Sequence, residues 1–260
     1  MKIIAIIPAR LAATRFPNKP MAKIKGMPMI GHCYIRSKLC SLLDETYVAT
    51  CDQEIKDYIE NMGGKAIMTA DVHERATERT AEALLNIEAL HPENKYDIIV
   101  MVQGDEPLVD PDMLREAIEP LLQGDKMVSN LMAALPTQAE RDNPNNVKVV
   151  TNIKNDAIYM SREPIPSNKK YKAEIAAFRQ LGLIAFTRAA LLKFVALPTT
   201  PLEIIESVDM NRLIENCIPI RMTATKYLAD SVDTAEDLAR VEKKMQNDLL
   251  FHSYKHIIKV

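Results

Sequence analysis

The 260-residue chain has no long apolar run and no marked excess of charge of either sign. Its 33 lysine and arginine residues are balanced by 35 aspartate and glutamate residues. No basic stripe with interleaved aromatic residues is present, so we expect no nucleic-acid partner. No run approaches the roughly 20 apolar residues of a membrane-spanning helix, and the start of the chain lacks the pattern of a signal peptide. We therefore expect a cytoplasmic protein without a membrane partner.

The chain also lacks the cysteine and histidine spacings that are typical of metal centres. Its four cysteines form no C-x-x-C pair, and its five histidines are scattered. We expect reduced, mostly buried thiols and no zinc site. Internal repeats and low-complexity segments are absent too. The length suits one large domain or two small ones with a proper hydrophobic core.

Strand-like and helix-like segments alternate in the first half of the chain, a pattern typical of a sheet wound with crossover helices. The first strand is a continuous apolar run, as expected for a strand buried on both faces. The predicted fold class is therefore α/β, with a doubly wound, mostly parallel sheet in residues 1–125. Strands are predicted over residues 3–7, 45–50, 65–69 and 96–102, and helices over residues 28–43, 53–62, 78–90 and 111–122.

Residues 126–225 have a different pattern, in which prolines separate short elements, and we expect a smaller α+β region there. The remaining segment, 226–260, contains a predicted helix from Ala235 to about Leu250. Thr234 and Asp237 form a capping box at its start, and we expect the helix to pack back on the first half. In the middle region we predict a hairpin of strands 147–151 and 157–161, a strand over 180–186, and helices over 188–195 and 202–216.

Three cationic residues, Arg10, Arg15 and Lys19, follow the first strand in a segment that three prolines keep from forming a helix. This segment is predicted to leave the carboxyl end of the strand, which is where ligands bind in open α/β sheets. Arginine offers paired donors and lysine a point charge, so the three cations favour a polyphosphate ligand. The alternative is that they are solvated charges on a long surface loop.

Two aspartates and one loop-to-helix junction are further candidates. Asp105 follows the strand over 96–102 and suits Mg²⁺, which takes one or two carboxylates and keeps several waters. The alternative for Asp105 is a turn residue that bonds its own backbone. Asp233 is a second candidate ligand, with a helix cap as its alternative. Thr77 and Arg79 lie where backbone donors can meet a base or a phosphate, unless this is an ordinary charged helix start.

Several sequence blocks together resemble the CMP-Kdo synthetases, which are 3-deoxy-manno-octulosonate cytidylyltransferases. The blocks occur in the family's order from residue 3 to about residue 245 and cover nearly the whole chain. Together they are highly specific, whereas Ile7-Pro8-Ala9-Arg10 or Gln103-Gly104-Asp105-Glu106-Pro107 alone would be moderate evidence. The blocks are residues 7–20, 26–30, 48–52, 102–107, 146–150, 159–166, 178–179, 201–207 and 232–238.

The resemblance implies a nucleotide-diphospho-sugar transferase-like fold. It also implies transfer of the cytidylyl group of CTP to a 3-deoxy-2-ulosonic acid, with release of pyrophosphate, in lipopolysaccharide biosynthesis. The implied catalytic residues are Arg10, Lys19, Asp105 and Asp233. Arg10, Arg15 and Lys19 would bind the triphosphate, Gln103 would contact the nucleoside with Thr77 and Arg79 beside it, and Asp105 and Asp233 would hold Mg²⁺.

The resemblance further implies a sugar-binding and dimerisation role for the middle region. The family suggests a homodimer, and we expect residues 197–201 with the following helix to supply its surface. The expected sugar-binding residues are Arg162, Gln180, Glu203, Asp209 and Met210.

The chain departs from the family's usual pattern in the nucleoside loop and on the sugar side. Family members usually have Ser-Gly where Arg75-Ala76 stands, His-x-Gly-x-Tyr over residues 180–184, and Glu-Gln-Leu-Arg over residues 209–212. The triphosphate and metal blocks are intact. We therefore expect nucleotidyl transfer to Kdo or 8-amino-Kdo. The departures favour a variant such as the 8-amino-8-deoxy form, whose ammonium can meet Asp209. The sequence leaves open the base specificity and the number of Mg²⁺ ions.

Other classes of protein share parts of this pattern. A metal-dependent glycosyltransferase normally carries an Asp-x-Asp pair after a strand, which Gly104-Asp105-Glu106-Pro107 lacks. A non-catalytic nucleotide-binding module keeps the cationic loop but has no need of Asp105 and Asp233 together. Another sugar nucleotidyltransferase of the same fold is a further alternative.

Overall fold

The computed structural model describes residues 1–12, 16–124, 126–170, 176–227 and 230–257. The chain divides into two compact units, Met1–Arg115 together with Leu228–Val260, and Glu116–Tyr227. The mixed α/β architecture with a mostly parallel sheet confirms the predicted fold class. No helix among the described residues has the length and apolar character needed to cross a membrane.

The first unit is built on a parallel sheet. Its first strand, Ile3–Ala9, lies in the middle of this sheet and is buried along its whole length, as expected for a strand covered on both faces. The strands are β1 (Ile3–Ala9), β2 (Lys23–Ile24), β3 (Met27–Pro28), β4 (Glu45–Thr50), β5 (Ala66–Met68) and β6 (Ile98–Val102). Within this unit β6, β1, β4 and β5 lie side by side and parallel, whereas β2 and β3 form a separate antiparallel pair.

Helices connect these strands close to where the sequence predicts them. They are α1 (Met29–Lys38), α2 (Gln53–Asn61), α3 (Ala76–Leu90) and α4 (Pro111–Leu122). The prediction that the first helix reaches residue 43 is wrong. The chain leaves the helix after Leu39, where the Cys40 amide donates to the Ser37 carbonyl in a tight turn.

The second unit is mainly antiparallel. β10 pairs antiparallel with β7 and β8, β8 pairs antiparallel with β9, and β11 lies parallel to β7. The predicted hairpin is confirmed, and Asn155 in its turn has a φ of 59°, which asparagine tolerates. The strands are β7 (Val128–Ala134), β8 (Lys148–Thr151), β9 (Ala157–Ser161), β10 (Phe178–Thr187) and β11 (Arg221–Ala224), and the helices are α5 (Gln138–Asp142), α6 (Arg188–Ala196), α7 (Pro201–Glu206) and α8 (Asn211–Glu215).

The prediction of one continuous helix over residues 202–216 is wrong. Ser207 has a φ of 51°, in the left-handed region, and ends α7. The Val208 amide then donates to the Glu203 carbonyl, as in a Schellman motif. α8 starts only at Asn211, so the segment contains two short helices rather than one.

The described part of the C-terminal segment contains two α-helices, α9 (Ala235–Met245) and α10 (Leu249–Tyr254), and a short 3-10 helix over Lys255–Ile257. The capping box of Thr234 and Asp237 at the start of α9 is confirmed. The prediction that this helix continues to about Leu250 is wrong, because the Asp248 carboxylate accepts hydrogen bonds from the Leu250 and Phe251 amides and starts a new helix.

This segment belongs to the first unit and contacts residues of its N-terminal part. The Arg36 guanidinium pairs with Asp248 at 2.6 Å. The fully buried His32 lies 2.8 Å from the Tyr254 hydroxyl and 2.8 Å from the Ile24 carbonyl. A carbonyl only accepts, so Nε2 of His32 carries the proton and Nδ1 accepts from Tyr254. Burial lowers the pKa of His32 to about 4.

Candidate active site

A cavity of about 350 Å³ lies in the first unit, where β1 and β6 end. It is therefore at the sheet edge that favours ligand binding in α/β proteins. The residues around it include most of the predicted nucleotide and metal residues of the first unit. Among its lining residues are Arg10, Lys19, Arg75, Arg79, Gln103, Asp105 and Asp233.

A glycine allows the two strand ends to approach each other. A Cβ atom on Gly104 would lie 3.0 Å from the Pro8 carbonyl oxygen and 3.2 Å from the Ile30 side chain. These distances are shorter than an ordinary van der Waals contact, so glycine suits this close approach. Gly104 therefore allows Gln103 and Asp105, on either side of it, to share the cavity wall with Arg10.

The Lys19 ammonium lies between the two predicted metal-binding aspartates. Its Nζ atom is 2.7 Å from Asp105 Oδ2 and 3.1 Å from Asp233 Oδ1. Burial disfavours the charged ammonium, but the two carboxylates outweigh it and hold the pKa of Lys19 above its usual range. The structure thus brings together three residues that are far apart in the sequence, in a charged cluster at the cavity.

The Asp233 carboxylate takes no part in the cap of the following helix. The Val232 amide donates to the Asp105 carbonyl at 2.9 Å, which ties this segment to the end of β6. The cap of α9 is Thr234, and Asp233 contributes only its amide, which donates to Asp237. The Asp233 carboxylate therefore does not cap the helix, and the helix-cap alternative is wrong.

The two aspartates fit a Mg²⁺ ion. Asp105 Oδ1 is buried and has no hydrogen-bond partner in the part of the chain that the structure describes. A buried, unpartnered carboxylate oxygen is costly unless a cation or a donor meets it. Mg²⁺ takes one or two carboxylates and keeps its waters, so Asp105 and Asp233 together form a suitable ligand pair.

The first turn of α3 places a buried arginine at the cavity wall. Arg79 is only 2% exposed, and its Nη1 donates to the Thr69 hydroxyl and the Ala70 carbonyl. Its Nη2 has no partner among the described residues. Arg79 therefore offers a donor to a ligand in this cavity. Thr77, in contrast, is fully buried with its hydroxyl 3.7 Å from the Met101 sulfur, so it supports the wall from behind.

Arg10 is exposed and donates to the His73 carbonyl at 3.2 Å. His73 in turn pairs with Glu82, which also accepts from the Ala70 amide. These contacts hold the loop before α3 against the end of β1 and leave further Arg10 donors for a ligand. Arg15, the remaining predicted triphosphate residue, lies outside the described residues.

In the second unit, Arg162 is held by backbone carbonyls. Its guanidinium donates to the carbonyls of Glu206, Pro144 and Ser207 at 2.8, 2.9 and 3.4 Å. The Glu206 carboxylate accepts from the Tyr159 and Ser161 hydroxyls at 2.6 and 2.7 Å and from the Arg162 amide at 2.8 Å. Burial works against the charge of Glu206, but these donors hold the pKa of its carboxyl below the usual range.

The other predicted sugar residues differ in accessibility. Glu203 is fully buried, and both of its oxygens meet the Arg212 guanidinium, at 2.6 and 2.7 Å. Met210 is fully buried as well. Asp209 and Gln180 are partly exposed, and Gln180 donates to Asn130. Within the second unit, Asp209 and Gln180 are thus more accessible to a ligand than Glu203 and Met210.

Sequence reasoning missed the residues that support these groups. Lys148 is fully buried, and its ammonium donates to the carbonyls of Asn143, Asn146 and Arg162. Burial lowers its pKa. It thereby joins the Arg162 backbone to the loop before β8. Its place in the block over residues 146–150 is the one sequence signal that marks it.

Comparisons with known proteins identify the family of the chain. A family model described as cytidylyltransferase matches residues 4–256. The 3-deoxy-manno-octulosonate cytidylyltransferase of Trichlorobacter lovleyi is 41% identical over 258 residues, covering 95% of this chain and 99% of the relative. The enzyme of the same name from Geobacter metallireducens is 38% identical, covering 94% of this chain and 98% of its own.

Solved structures are similar as well. A CMP:2-keto-3-deoxy-manno-octonic acid synthetase complexed with CTP matches with a TM-score of 0.86 and 32% identity, covering 96% of this chain and 100% of its own. A cytidylyltransferase from Leptospira borgpetersenii matches with a TM-score of 0.63 at 16% identity, covering 99% of this chain and 97% of its own. The second likeness shows the fold alone.

Proposed function

The chain belongs to the cytidylyltransferase family, and on this basis we propose that it activates a 3-deoxy-2-ulosonic acid of the Kdo type with CTP. The products are the CMP-sugar and pyrophosphate, and the CMP-sugar serves lipopolysaccharide biosynthesis. The observation that carries the proposal is the cluster of Lys19, Asp105 and Asp233 in a cavity lined by further cations. The reaction takes place in the cytoplasm, where CTP is available.

The proposed reaction is an in-line attack of the anomeric hydroxyl of the sugar on the α-phosphorus of CTP. Catalysis of such a transfer rests mainly on positioning and on stabilising charge. Arg10, Lys19 and Arg15 bind the triphosphate and neutralise the departing pyrophosphate. Asp105 and Asp233 would hold Mg²⁺, and a bound Mg²⁺ would supply orientation of the reacting groups and would lower the pKa of the attacking hydroxyl.

Arg79 and Gln103 bind the nucleoside portion of CTP. The unpartnered Nη2 of Arg79 supports this assignment, because a buried guanidinium nitrogen gains a hydrogen bond when an acceptor of the nucleotide reaches it. Thr77 shapes the wall behind them. Arg75 lines the same cavity and adds a cation where the family usually has serine.

On the sugar side we assign contact roles to Arg162, Gln180 and Asp209, and supporting roles to the buried Glu203 and Met210. Gln180 and Met210 replace hydrogen-bonding groups of the usual family pattern. Since an unmatched polar group in a binding site is costly, a changed set of donors and acceptors favours a changed sugar. An 8-amino-8-deoxy analogue of Kdo fits, because Asp209 keeps a carboxylate that can meet an ammonium.

The active form is a homodimer built by the second unit. Ile204 and Ile205 on α7 are 63% and 75% exposed. Two adjacent exposed isoleucines favour a covered surface, and residues 197–201 lead into the helix that carries them.

Pyrophosphate release from CTP, measured with and without a panel of acceptor sugars, tests the function. Release that requires an ulosonic acid supports the proposal. A glycosyltransferase would release no pyrophosphate under these conditions, and a binding module would take up CTP without turnover. The ratio of kcat/KM for the 8-amino sugar to that for Kdo identifies the preferred acceptor. A clear preference for Kdo would overturn the proposed sugar but not the proposed reaction.

A further inference from the structure

Asn130, on β7, is fully buried and makes four hydrogen bonds through its side chain. The two N–H groups of its Nδ2 are shared among the carbonyls of Leu131, Leu181 and Leu183, at 3.2, 2.9 and 3.0 Å. Its Oδ1 accepts from Gln180 Nε2 at 2.8 Å.

These partners decide the orientation of both amides. Three carbonyl oxygens can be met only by the NH₂ end of Asn130, because its oxygen would be repelled by all three. Oδ1 of Asn130 therefore faces Gln180, and Gln180 must turn its own NH₂ end inward. Its Oε1 atom is then directed away from Asn130, and nothing in the described part of the chain donates to it.

The same contacts hold an irregular stretch of β10. Gln180 pairs with Met132, but the next paired residue, Ile184, lies opposite Asn130, so the register shifts between them. The carbonyls of Leu181 and Leu183 in this stretch are the ones that Asn130 binds. Bulges of this kind re-aim side chains and are enriched next to active sites.

We propose that Gln180 is a specificity-determining residue that accepts a hydrogen bond from a hydroxyl or ammonium group of the sugar, and that Asn130 is the positioning residue that fixes this orientation. The inference rests on the proposed function. An imidazole at this position can gain a proton and become a pure donor, whereas an amide remains an acceptor at every physiological pH. The site therefore selects a sugar that presents a donor at this point.

The variant Gln180→Glu tests the orientation through its pH dependence. A carboxylate cannot donate to Asn130 Oδ1 and is repelled by it, whereas the protonated carboxyl can donate and still present its carbonyl oxygen outward. The deficit in kcat/KM for the sugar, relative to wild type at the same pH, should be about tenfold at high pH and should shrink as the pH falls to about 5.5. The KM for CTP should not change.

Two further variants serve as controls. Gln180→Met removes both polar atoms, so it should lose about tenfold in kcat/KM for the sugar at every pH. The exposed Gln138 on α5 also donates its amide to an oxygen, that of Asp142, at 2.7 Å. Gln138→Glu therefore creates a similar repulsion at the surface and should leave kcat/KM and its pH profile unchanged.

The possible results separate this inference from the proposed function. If the wild-type protein releases no pyrophosphate with CTP and any ulosonic acid, the proposed function fails. If wild type is active but the Gln180→Glu deficit is independent of pH, or is smallest at high pH, Asn130 does not present its oxygen and only this inference is overturned.

Discussion

At the scale of single residues, the proposed chemistry depends on one ammonium and two carboxylates. Lys19 pairs with Asp105 and Asp233 at hydrogen-bonding distance, and one oxygen of Asp105 remains without a partner among the described residues. The two carboxylates therefore form ion pairs with Lys19, and they are also suitable ligands for a divalent cation. Two kinds of substitution separate these roles.

Asp105→Asn and Asp233→Asn should each lower kcat by about a hundredfold or more, because both carboxylates serve the metal and the transition state. Both variants should stay folded, since neither carboxylate is part of the apolar core. Pyrophosphate release and thermal unfolding measure the two effects. The exposed Asp57, which accepts from Gln53 on α2, gives the control variant Asp57→Asn. Near-normal turnover in either active-site variant would contradict the assignment.

Lys19→Met should raise the KM for CTP and, in the absence of nucleotide, increase the affinity for Mn²⁺ by about tenfold, because Lys19 neutralises the same carboxylates that bind the metal. Electron paramagnetic resonance of free Mn²⁺ measures this affinity directly. The exposed Lys23 on β2 provides the control variant Lys23→Met, which should leave both values unchanged. Weaker Mn²⁺ binding in Lys19→Met would show that the ammonium does not compete with the metal.

Sequence reasoning identified the charged residues of the cavity better than their partners. The rule that parallel strands end at one edge predicts that Lys19 and Asp105 meet, and they do. No pattern in the sequence indicates that Arg162 donates to three backbone carbonyls or that Glu203 is fully buried against Arg212. Those partners come from distant parts of the chain, and only the tertiary structure brings them close.

At the scale of elements, the strands and helices with clear periodicity were predicted well, and irregular ones were not. β7 was missed because the polar Ser129 and Asn130 interrupt its apolar residues, although both are fully buried. The breaks between α7 and α8 and between α9 and α10 depend on the left-handed Ser207 and on the cap at Asp248. Such breaks depend on local hydrogen bonds, which the periodicity of apolar residues does not reveal.

The attachment of α10 should make stability depend on pH. Neutral His32 accepts from Tyr254, and burial lowers its pKa from 6.5 to about 4. A histidine whose pKa is lower in the folded state stabilises the protein fully above pH 6.5 and loses this contribution as the pH falls towards 4. The loss should amount to about 2–3 kcal/mol in the free energy of unfolding.

Urea unfolding of wild type and His32→Asn, at about pH 7.5 and about pH 5, measures this contribution. The variant should be less stable at the higher pH and should depend less on pH. His91→Asn, at an exposed histidine, is the control and should behave as wild type. An equal loss of stability on acidification in His32→Asn and wild type would exclude His32 as the cause.

At the scale of the whole molecule, the chain forms a discontinuous first unit and a continuous second one. The sequence predicted that the C-terminal segment returns to the first half. In the structure, Arg36 and His32 of the first half contact Asp248 and Tyr254 of that segment. The sequence could not specify the surfaces between copies of the chain, because exposure of apolar side chains follows only from the folded structure.

The proposed homodimer makes a prediction at this scale. Ile205→Glu should shift the protein to a monomer in light scattering after size-exclusion chromatography, because it places a charge in the covered surface. Ile153→Glu is the matched control, since Ile153 lies fully exposed in the turn between β8 and β9 of the same unit. A monomeric wild type, or a dimer in which Ile205→Glu has no effect, would contradict the assignment of this surface.

The central claim is that a sugar hydroxyl attacks the α-phosphorus of CTP, and the fate of an oxygen label tests it most directly. An ulosonic acid labelled with ¹⁸O at its anomeric hydroxyl is incubated with CTP, Mg²⁺ and the protein, and the product is followed by ³¹P NMR. The account predicts a CMP-sugar phosphodiester whose bridging oxygen carries the label, together with unlabelled pyrophosphate. Absence of a phosphodiester, or a phosphodiester without the label in its bridging oxygen, would contradict it.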